Sequence, residues 1–309
     1  MKNIHLILFF LLVVLAGCEK TVSVDIPQRP PRLVINGWLE KDVPVEVMVG
    51  KSRNVLDPSN PWSSNIESYV VKNAVPVMYE NNVAIDTLVY DPASFKYRSA
   101  SGKSLQEGKN YTIKVTAPGF EAVEAHTTVP SQSVINSVTR TKEARTTSDG
   151  NKQDEILIVL DDPQETNFYL VQFYHAPYNS NSNYPIYCVS TTDKDVEPIG
   201  ENADPLSTDN CYDGESLLLK DVNFNGRQKV LRFFIDSYQL NDNTGPGGII
   251  EKPYVRVLRI TEDYFKFVKS YNVHYNSSDN PFAEPSNVYS NVTNGYGSFS
   301  AYTVATQNL

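Results

Sequence analysis

The chain has 309 residues and a formal net charge of −9, enough for one large or two ordinary domains, each able to bury its own core. That acidity excludes a nucleic-acid-binding protein, which needs a basic patch, and gives no attraction to anionic lipid headgroups. Nineteen Tyr, thirteen Phe and nineteen Pro, with many Val, Thr and Ile, exclude an all-helical chain and predict short strands joined by turns, a mostly all-β composition.

The chain opens with Lys2, an unbroken apolar run from Leu6 to Ala16, then Gly17 and Cys18. A secretory leader carries about 7–15 apolar residues, whereas a spanning helix needs roughly 20, so residues 1–17 read as a cleaved lipoprotein signal peptide. Leu15-Ala16-Gly17-Cys18 has the small residues before the cut that a lipobox requires, and it makes Cys18 the lipidated first residue of the mature chain. Loss of Lys2 with the leader takes the formal charge from −9 to −10. Each buried acyl CH₂ adds ~0.8 kcal/mol, so several chains hold a protein firmly to a bilayer. Glu19 rather than Asp follows Cys18, which favours passage to the outer membrane, lipid-anchored on its periplasmic face or at the cell surface. Residues 18–31 contain Pro27, Pro30 and Pro31 and read as a tether that reaches at most about 45–50 Å when extended.

Residues 32–130 carry seven candidate strands: Leu33–Leu39, Val43–Val49, Val75–Tyr79, Val83–Tyr90, Lys96–Ser99, Tyr111–Thr116 and Ala122–Thr128. Turn signals separate them, including Glu80-Asn81-Asn82, Asp91-Pro92 and Pro118-Gly119. Short strands at this spacing predict an immunoglobulin-like or fibronectin-like β-sandwich. Leu105, Gly108 and Tyr111 have the spacing of a tyrosine corner, in which the phenol bonds back to upstream backbone, so Tyr111 reads as a structural pin.

Residues 131–309 read as a second, larger β-sandwich-like domain with one short helix near the C-terminus and a closing loop. Ile135–Thr141 suits a strand, the polar run Thr141–Asp154 a long exposed hairpin loop, and Ile156–Leu160 a buried strand. Strand alternation continues at 168–175, Ser216–Lys220, Gln228–Asp236 and Tyr254–Ile260. The stretch Asn179–Tyr212 is rich in Asn, Ser, Asp and Pro and reads as an elaborated loop. In an exported protein Cys188 and Cys211 read as a disulfide stapling that loop, contributing roughly 3 kcal/mol on a loop-entropy basis; two separate thiols are the alternative. Thr261 can cap a helix with Glu262 and Asp263 in its first turn, and Tyr264, Phe267, Val268 and Tyr271 then form one apolar stripe that packs on a sheet.

Signals for chemistry are sparse. Asp221-Val222-Asn223-Phe224-Asn225-Gly226 matches the start of a helix–loop–helix calcium loop, but Arg232 stands where the bidentate Glu belongs, and a β-turn at Asn225-Gly226 is the better reading. His126, His175 and His274 fall in different elements with no metal-ligand spacing. No nucleophile elbow, phosphate loop or Cys–His pattern occurs, so neither catalytic residues nor a cofactor nor a metal site is assigned and a non-enzymatic role is expected. The C-terminal segment combines fixed turns with aromatics and amides, which suits a closing loop with an edge strand and equally a contact surface; Asn280, Pro281, Phe282, Glu284, Tyr289 and Tyr296 are its candidate interface residues.

Leu33-Val34-Ile35-Asn36-Gly37-Trp38-Leu39, the Gly108–Tyr111 corner, Phe224-Asn225-Gly226, the Tyr264–Tyr271 helix and the runs Asn280–Pro285 and Val288–Gly297 together resemble a family of Bacteroidota outer-membrane lipoproteins, the domain of unknown function DUF4249. The resemblance spans about Pro31 to the C-terminus and implies work beside a TonB-dependent outer-membrane receptor. The family assigns no catalytic residues. The expectation is an accessory lipoprotein of an uptake system that captures a glycan or peptide ligand or docks on a β-barrel partner. Two alternatives stand beside it. One is a surface hydrolase using carboxylates gathered from separate strands, which requires two carboxyl groups about 5–10 Å apart in a cleft; the other is a structural or adhesive surface protein. A cleft lined by Tyr and Trp favours sugar or peptide capture, whereas a flat apolar patch favours a protein partner.

Overall fold

A computed structural model describes residues 30–53, 66–132, 134–177, 184–199, 211–212, 214–215, 217–245, 248, 250–278 and 286–309. The leader 1–17, Cys18, all of the tether but its last two residues, and the interface candidates Asn280, Pro281, Phe282 and Glu284 lie outside the described residues.

All seven expected strands of the first region form: β1 (Leu33–Glu40), β2 (Glu46–Lys51), β3 (Val75–Glu80), β4 (Val83–Asp91), β5 (Lys96–Ser99), β6 (Asn110–Thr116) and β7 (Val123–Thr128). Period-2 alternation sends Leu33, Ile35 and Leu39 of β1 inward, onto Val47 and Val49 of β2 and Ile113 and Val115 of β6. Gly37 belongs to the same inward row because a Cβ there would lie 2.7 Å from Val47 Cγ1. Asn81 and Asn82 both take positive φ in the β3–β4 turn, the backbone that a tight hairpin demands. Tyr111 is buried, and its hydroxyl accepts a hydrogen bond of 3.1 Å from the Gln106 N–H, as a tyrosine corner requires.

The second region contributes β8 (Ile135–Thr146), β9 (Lys152–Asp161), β10 (Phe168–Tyr174), β11 (Val189–Ser190), β12 (Val196–Pro198), β13 (Leu217–Lys220), β14 (Gln228–Asp236), β15 (Asn243–Thr244), β16 (Ile250–Glu251), β17 (Tyr254–Ile260), the helix α1 (Glu262–Ser278), β18 (Val292–Thr293) and β19 (Tyr296–Asn308). A four-stranded sheet, β11-β14-β9-β8, packs through Ile156, Ile158, Leu231 and Phe233 onto Val171, Phe173, Leu219 and Val257 of a second sheet. The far face of that second sheet, through Phe168, Leu170, Leu218 and Leu258, is covered by Phe265 of α1. Strand β10 is therefore buried almost throughout, as a middle layer must be.

One continuous thirteen-stranded sheet links the two regions, in the order β12-β13-β10-β17-β19-β1-β2-β5-β4-β3-β6-β7-β18. Strand β19 lies between them, antiparallel to β17 and parallel to β1, with Val34 beside Tyr296 and Glu40 beside Tyr302. A parallel pair needs a long connection, and here it comprises β2–β7 of the first region and the second region up to β18. Strand β18 pairs with β7 at the opposite edge and turns through Asn294 into β19, so the first region's sheet is tied back to its own middle. Division of the chain at residue 130 would deprive the first core of Val292, Phe299 and Ala301, which pack into it from the C-terminal end.

Two expectations need correction. The segment Thr141–Asp154 is mostly strand, since β8 runs to Thr146 and pairs Arg145 with Gln153 across a bulge. Most of it stays exposed as expected, but its end is buried, where the Asp154 carboxylate accepts from Arg140 Nε at 2.7 Å, from the Glu143 N–H at 2.8 Å and from the Ser237 hydroxyl. In α1, Thr261 Oγ1 accepts from the Tyr264 N–H and caps the helix, but Tyr271 is 52% exposed and Phe265 takes the buried place expected of it. The stripe turns with the 3.6-residue period and leaves the sheet before the helix ends. Cys188 and Cys211 are bridged, with Cα atoms 4.8 Å apart, beside a backbone bridge between Val189 and Tyr212. Asp221 opens a short 3-10 turn, its carboxylate accepts from the Asn167 N–H at 2.6 Å, and Gly226 takes φ +70°, so the segment is a turn pinned from inside.

Candidate binding cleft

Because Leu33, Ile35, Gly37 and Leu39 face the core, Trp38 and Glu40 emerge on the opposite face of the sheet, the one that α1 partly covers. Trp38 is 48% exposed yet held. Its ring stacks on Tyr264 with centroids 5.9 Å apart and planes 10° from parallel, and Phe267 leans on it at 5.8 Å. From the buried Phe267 the exposed Tyr271 and Tyr275 continue the row along the helix, Phe267 to Tyr271 at 6.0 Å and Tyr271 to Tyr275 at 6.4 Å, each pair four residues apart.

Beside Trp38 opens a cavity of about 400 Å³ walled by Glu40, Val43, Glu46, Arg98 and Tyr302. Glu40 accepts from the Tyr302 hydroxyl at 3.1 Å and pairs with Arg256 at 3.2 Å, so strands β1, β17 and β19 each supply one member of this cluster. Glu46 pairs with Lys96 and, at 3.2 Å, with Arg98, which also reaches Asp91 at 3.1 Å. Burial, reinforced by the Glu40 charge, pushes the Tyr302 hydroxyl up to about 12, so it stays a hydrogen-bond donor throughout the physiological range. Burial pulls Arg256 down, but the neighbouring Tyr302 and Glu40 outweigh it and leave the guanidinium more firmly protonated than usual.

A flat ring with ionic and hydroxyl groups around it can hold a ligand that has an apolar face and a polar edge, which describes a sugar or a short peptide. Among the described residues no group of three or more His, Cys, Asp or Glu is arranged for a metal ion, and no helix is long and apolar enough to cross a membrane.

The two described interface candidates do not come together. Tyr289 packs against α1: its hydroxyl donates to Asp263, its N–H donates to Ser270 Oγ at 2.7 Å, and burial with the Asp263 charge pushes its hydroxyl up to about 12. It borders a shallow cavity of about 410 Å³ with Phe265 and Val273. Tyr296 opens β19 and carries the Arg32 guanidinium 5.8 Å from its ring centre. His126, His175 and His274 stay apart, bonded to Thr112, to the Gln239 carbonyl and to the Ser286 carbonyl. Trp38 was the residue missed; its signal was present, since a large aromatic at an outward position of a clearly alternating strand has no core to fill.

Fold and cleft together define a mostly-β protein with a C-terminal helix and an aromatic-walled cleft on its thirteen-stranded sheet. The chain belongs to the family described as Domain of unknown function (DUF4249), whose sequence profile matches residues 19–308. Comparison with curated proteins finds no match.

Proposed function

We propose that the protein is a non-enzymatic capture module, anchored to the outer membrane through Cys18, that holds a glycan or peptide ligand at the Trp38 cleft for a TonB-dependent β-barrel receptor. The observation that carries this reading is the half-exposed Trp38 ring, fixed by Tyr264 and Phe267 at the mouth of a cleft with a charged wall. An aromatic fixed before the ligand arrives loses little further freedom on binding. The lipobox and the acidic, mostly-β body support the anchored, extracytoplasmic setting.

The chain has only two tryptophans, Trp38 and Trp62, so intrinsic fluorescence reports on the cleft. Titration of the full chain in mild detergent with soluble oligosaccharides and with short peptides is expected to change that emission for one class. Trp38→Ala should abolish the change and Trp62→Phe should keep it. A response that survives Trp38→Ala removes this cleft from the function. Recovery of the native lipoprotein from mild detergent with no barrel protein, its neighbouring genes intact, would remove the receptor.

One observation favours a hydrolase as the second reading: Glu40 and Glu46 line the same cleft. Both are engaged by cations there, Arg256 for one and Lys96 with Arg98 for the other. Turnover of a bound ligand by the wild-type chain, lost in Glu40→Gln or Glu46→Gln, would establish that reading in place of simple capture.

A further inference from the structure

Beside Trp38 the pairing of β1 with β2 is interrupted. The two strands run in register from Leu33 with Lys51 to Asn36 with Met48, and there the ladder ends. Trp38 and Glu46 stand opposite each other two residues further along that register, and both line the Trp38 cleft rather than pair. Beyond them the turn closes the gap, since the Val43 N–H donates to the Glu40 carbonyl at 3.3 Å. The other edge of β2 is held by β5, Glu46 beside Arg98 and Val47 beside Tyr97. A peptide therefore cannot join here as an added strand, because that mode needs an edge open along several residues. A ligand enters from the face of the sheet, across the indole.

The charges around this opening cancel one another. Glu40 pairs with Arg256, Glu46 with Lys96 and Arg98, and Arg98 also with Asp91. Three carboxylates thus stand against three cations, each with a partner inside the protein. A charged ligand would have to break one of these pairs or lie against groups already neutralised, and would recover little of the hydration it gives up. An uncharged ligand meets no such cost. Paired carboxylates keep lone pairs for further donors, and the half-exposed Arg98 guanidinium keeps N–H groups for further acceptors. Sugar hydroxyls donate and accept at once. The C–H face of a pyranose also suits the negative face of an aromatic ring. Tyr264 lies parallel to Trp38 on one side, and the half-exposed indole has the rest of its surface for such a ring.

From this we infer that the Trp38 cleft is specific for uncharged glycans, one pyranose ring lying on the indole and its hydroxyls meeting Glu40 and the Glu46–Arg98 pair. This specificity presupposes the capture reading and narrows it, setting aside peptides and acidic or basic sugars.

Trp62→Phe leaves Trp38 as the sole tryptophan, so the emission of that full-length variant in mild detergent reports on the cleft. The probes are cellotetraose, maltotetraose and mannotetraose, which are neutral; tetragalacturonate, an anion; tetraglucosamine, a cation; and N-acetyl-tetraalanine amide, an uncharged peptide. At least one neutral sugar is expected to shift the emission and to bind about fivefold or more tighter than both charged sugars and the peptide, with less than about twofold change between low and high salt. Charge variants should then redirect the preference. Glu46→Gln leaves cations in excess and should gain tetragalacturonate, whereas Arg98→Gln leaves acids in excess and should gain tetraglucosamine. A gain of affinity cannot come from a folding defect. If a charged sugar or the peptide moves the Trp38 emission and no neutral sugar does, or if either variant fails to gain its charged probe, the specificity is overturned while capture at this cleft stands. Silence from every probe at millimolar concentration takes the capture reading down as well.

Discussion

The strands β10, β17 and β19 form one layer with two faces, and the faces differ in kind. Toward the four-stranded sheet they present Val171, Phe173, Val255 and Val257, an apolar surface sealed against Ile156, Ile158 and Phe233. Toward the helix the alternate residues include Tyr174, Tyr254, Arg256 and Tyr302, joined by Trp38 and Glu40 from β1. Here Tyr174 stacks on Tyr254 at 5.1 Å and donates to Glu215. The same backbone thus presents a sealed apolar face on one side and a polar, aromatic face on the other, and the helix, which covers only part of the second face, leaves the rest as the cleft wall.

Substitutions on the two faces should separate stability from binding. The largest stability effect belongs to Phe233→Ala, whose ring is fully buried and meets Phe173 edge-on at 5.0 Å; a loss of about 3–5 kcal/mol is expected in denaturant melts, with any remaining folded protein still binding at the Trp38 cleft. Next comes the polar anchor of the outer sheet, Asp154. Burial alone would raise its carboxyl, but Ser237, the Glu143 amide and Arg140 donate to it and hold it below the usual carboxylate range. A folded-state pKa below the unfolded one adds stability that is present above about pH 4 and is lost as pH falls through the folded value. Asp154→Asn should therefore lower the melting temperature at pH 7 and flatten its decline below pH 4; an unchanged acid slope would show that other carboxylates carry it. Smaller again, Tyr111→Phe removes the bond to the Gln106 N–H and should lower stability by about 0.5–1.5 kcal/mol with no effect on the Trp38 cleft.

The strands were legible in the sequence because each carries its own period-2 signal, and the boundaries at Lys96–Ser99, Gln228–Asp236 and Tyr254–Ile260 agree with the structure. The polar stretch around Arg140–Asp154 misled because charge normally marks a loop in solvent, whereas here Arg140 and Arg145 find partners across the hairpin in Asp154 and Gln153. The parallel seating of β19 against β1 was not legible, since nothing local in either strand names a partner more than 250 residues away. The site was hidden for the same reason. Glu40, Arg256 and Tyr302 meet only through that long-range pairing, and Arg259 reaches Ser131 only where the two regions touch.

Tyr271 gives the smallest expected effect and sharpens the contrast most. It sits on α1 at the spacing of a core residue, yet it is half-exposed and touches Phe267 and Tyr275 rather than the sheet. If the helix contributes to stability only through Phe265, Phe267 and their neighbours, Tyr271→Ser should change it by no more than about 0.5 kcal/mol, the usual range for surface positions. Ligand-induced emission at Trp38 should also persist, because Tyr264 and Phe267 prop that ring. A loss above about 1.5 kcal/mol would mean that the aromatic row is part of the packed layer. Loss of the fluorescence response with stability intact would instead extend the recognition surface one further turn along the helix.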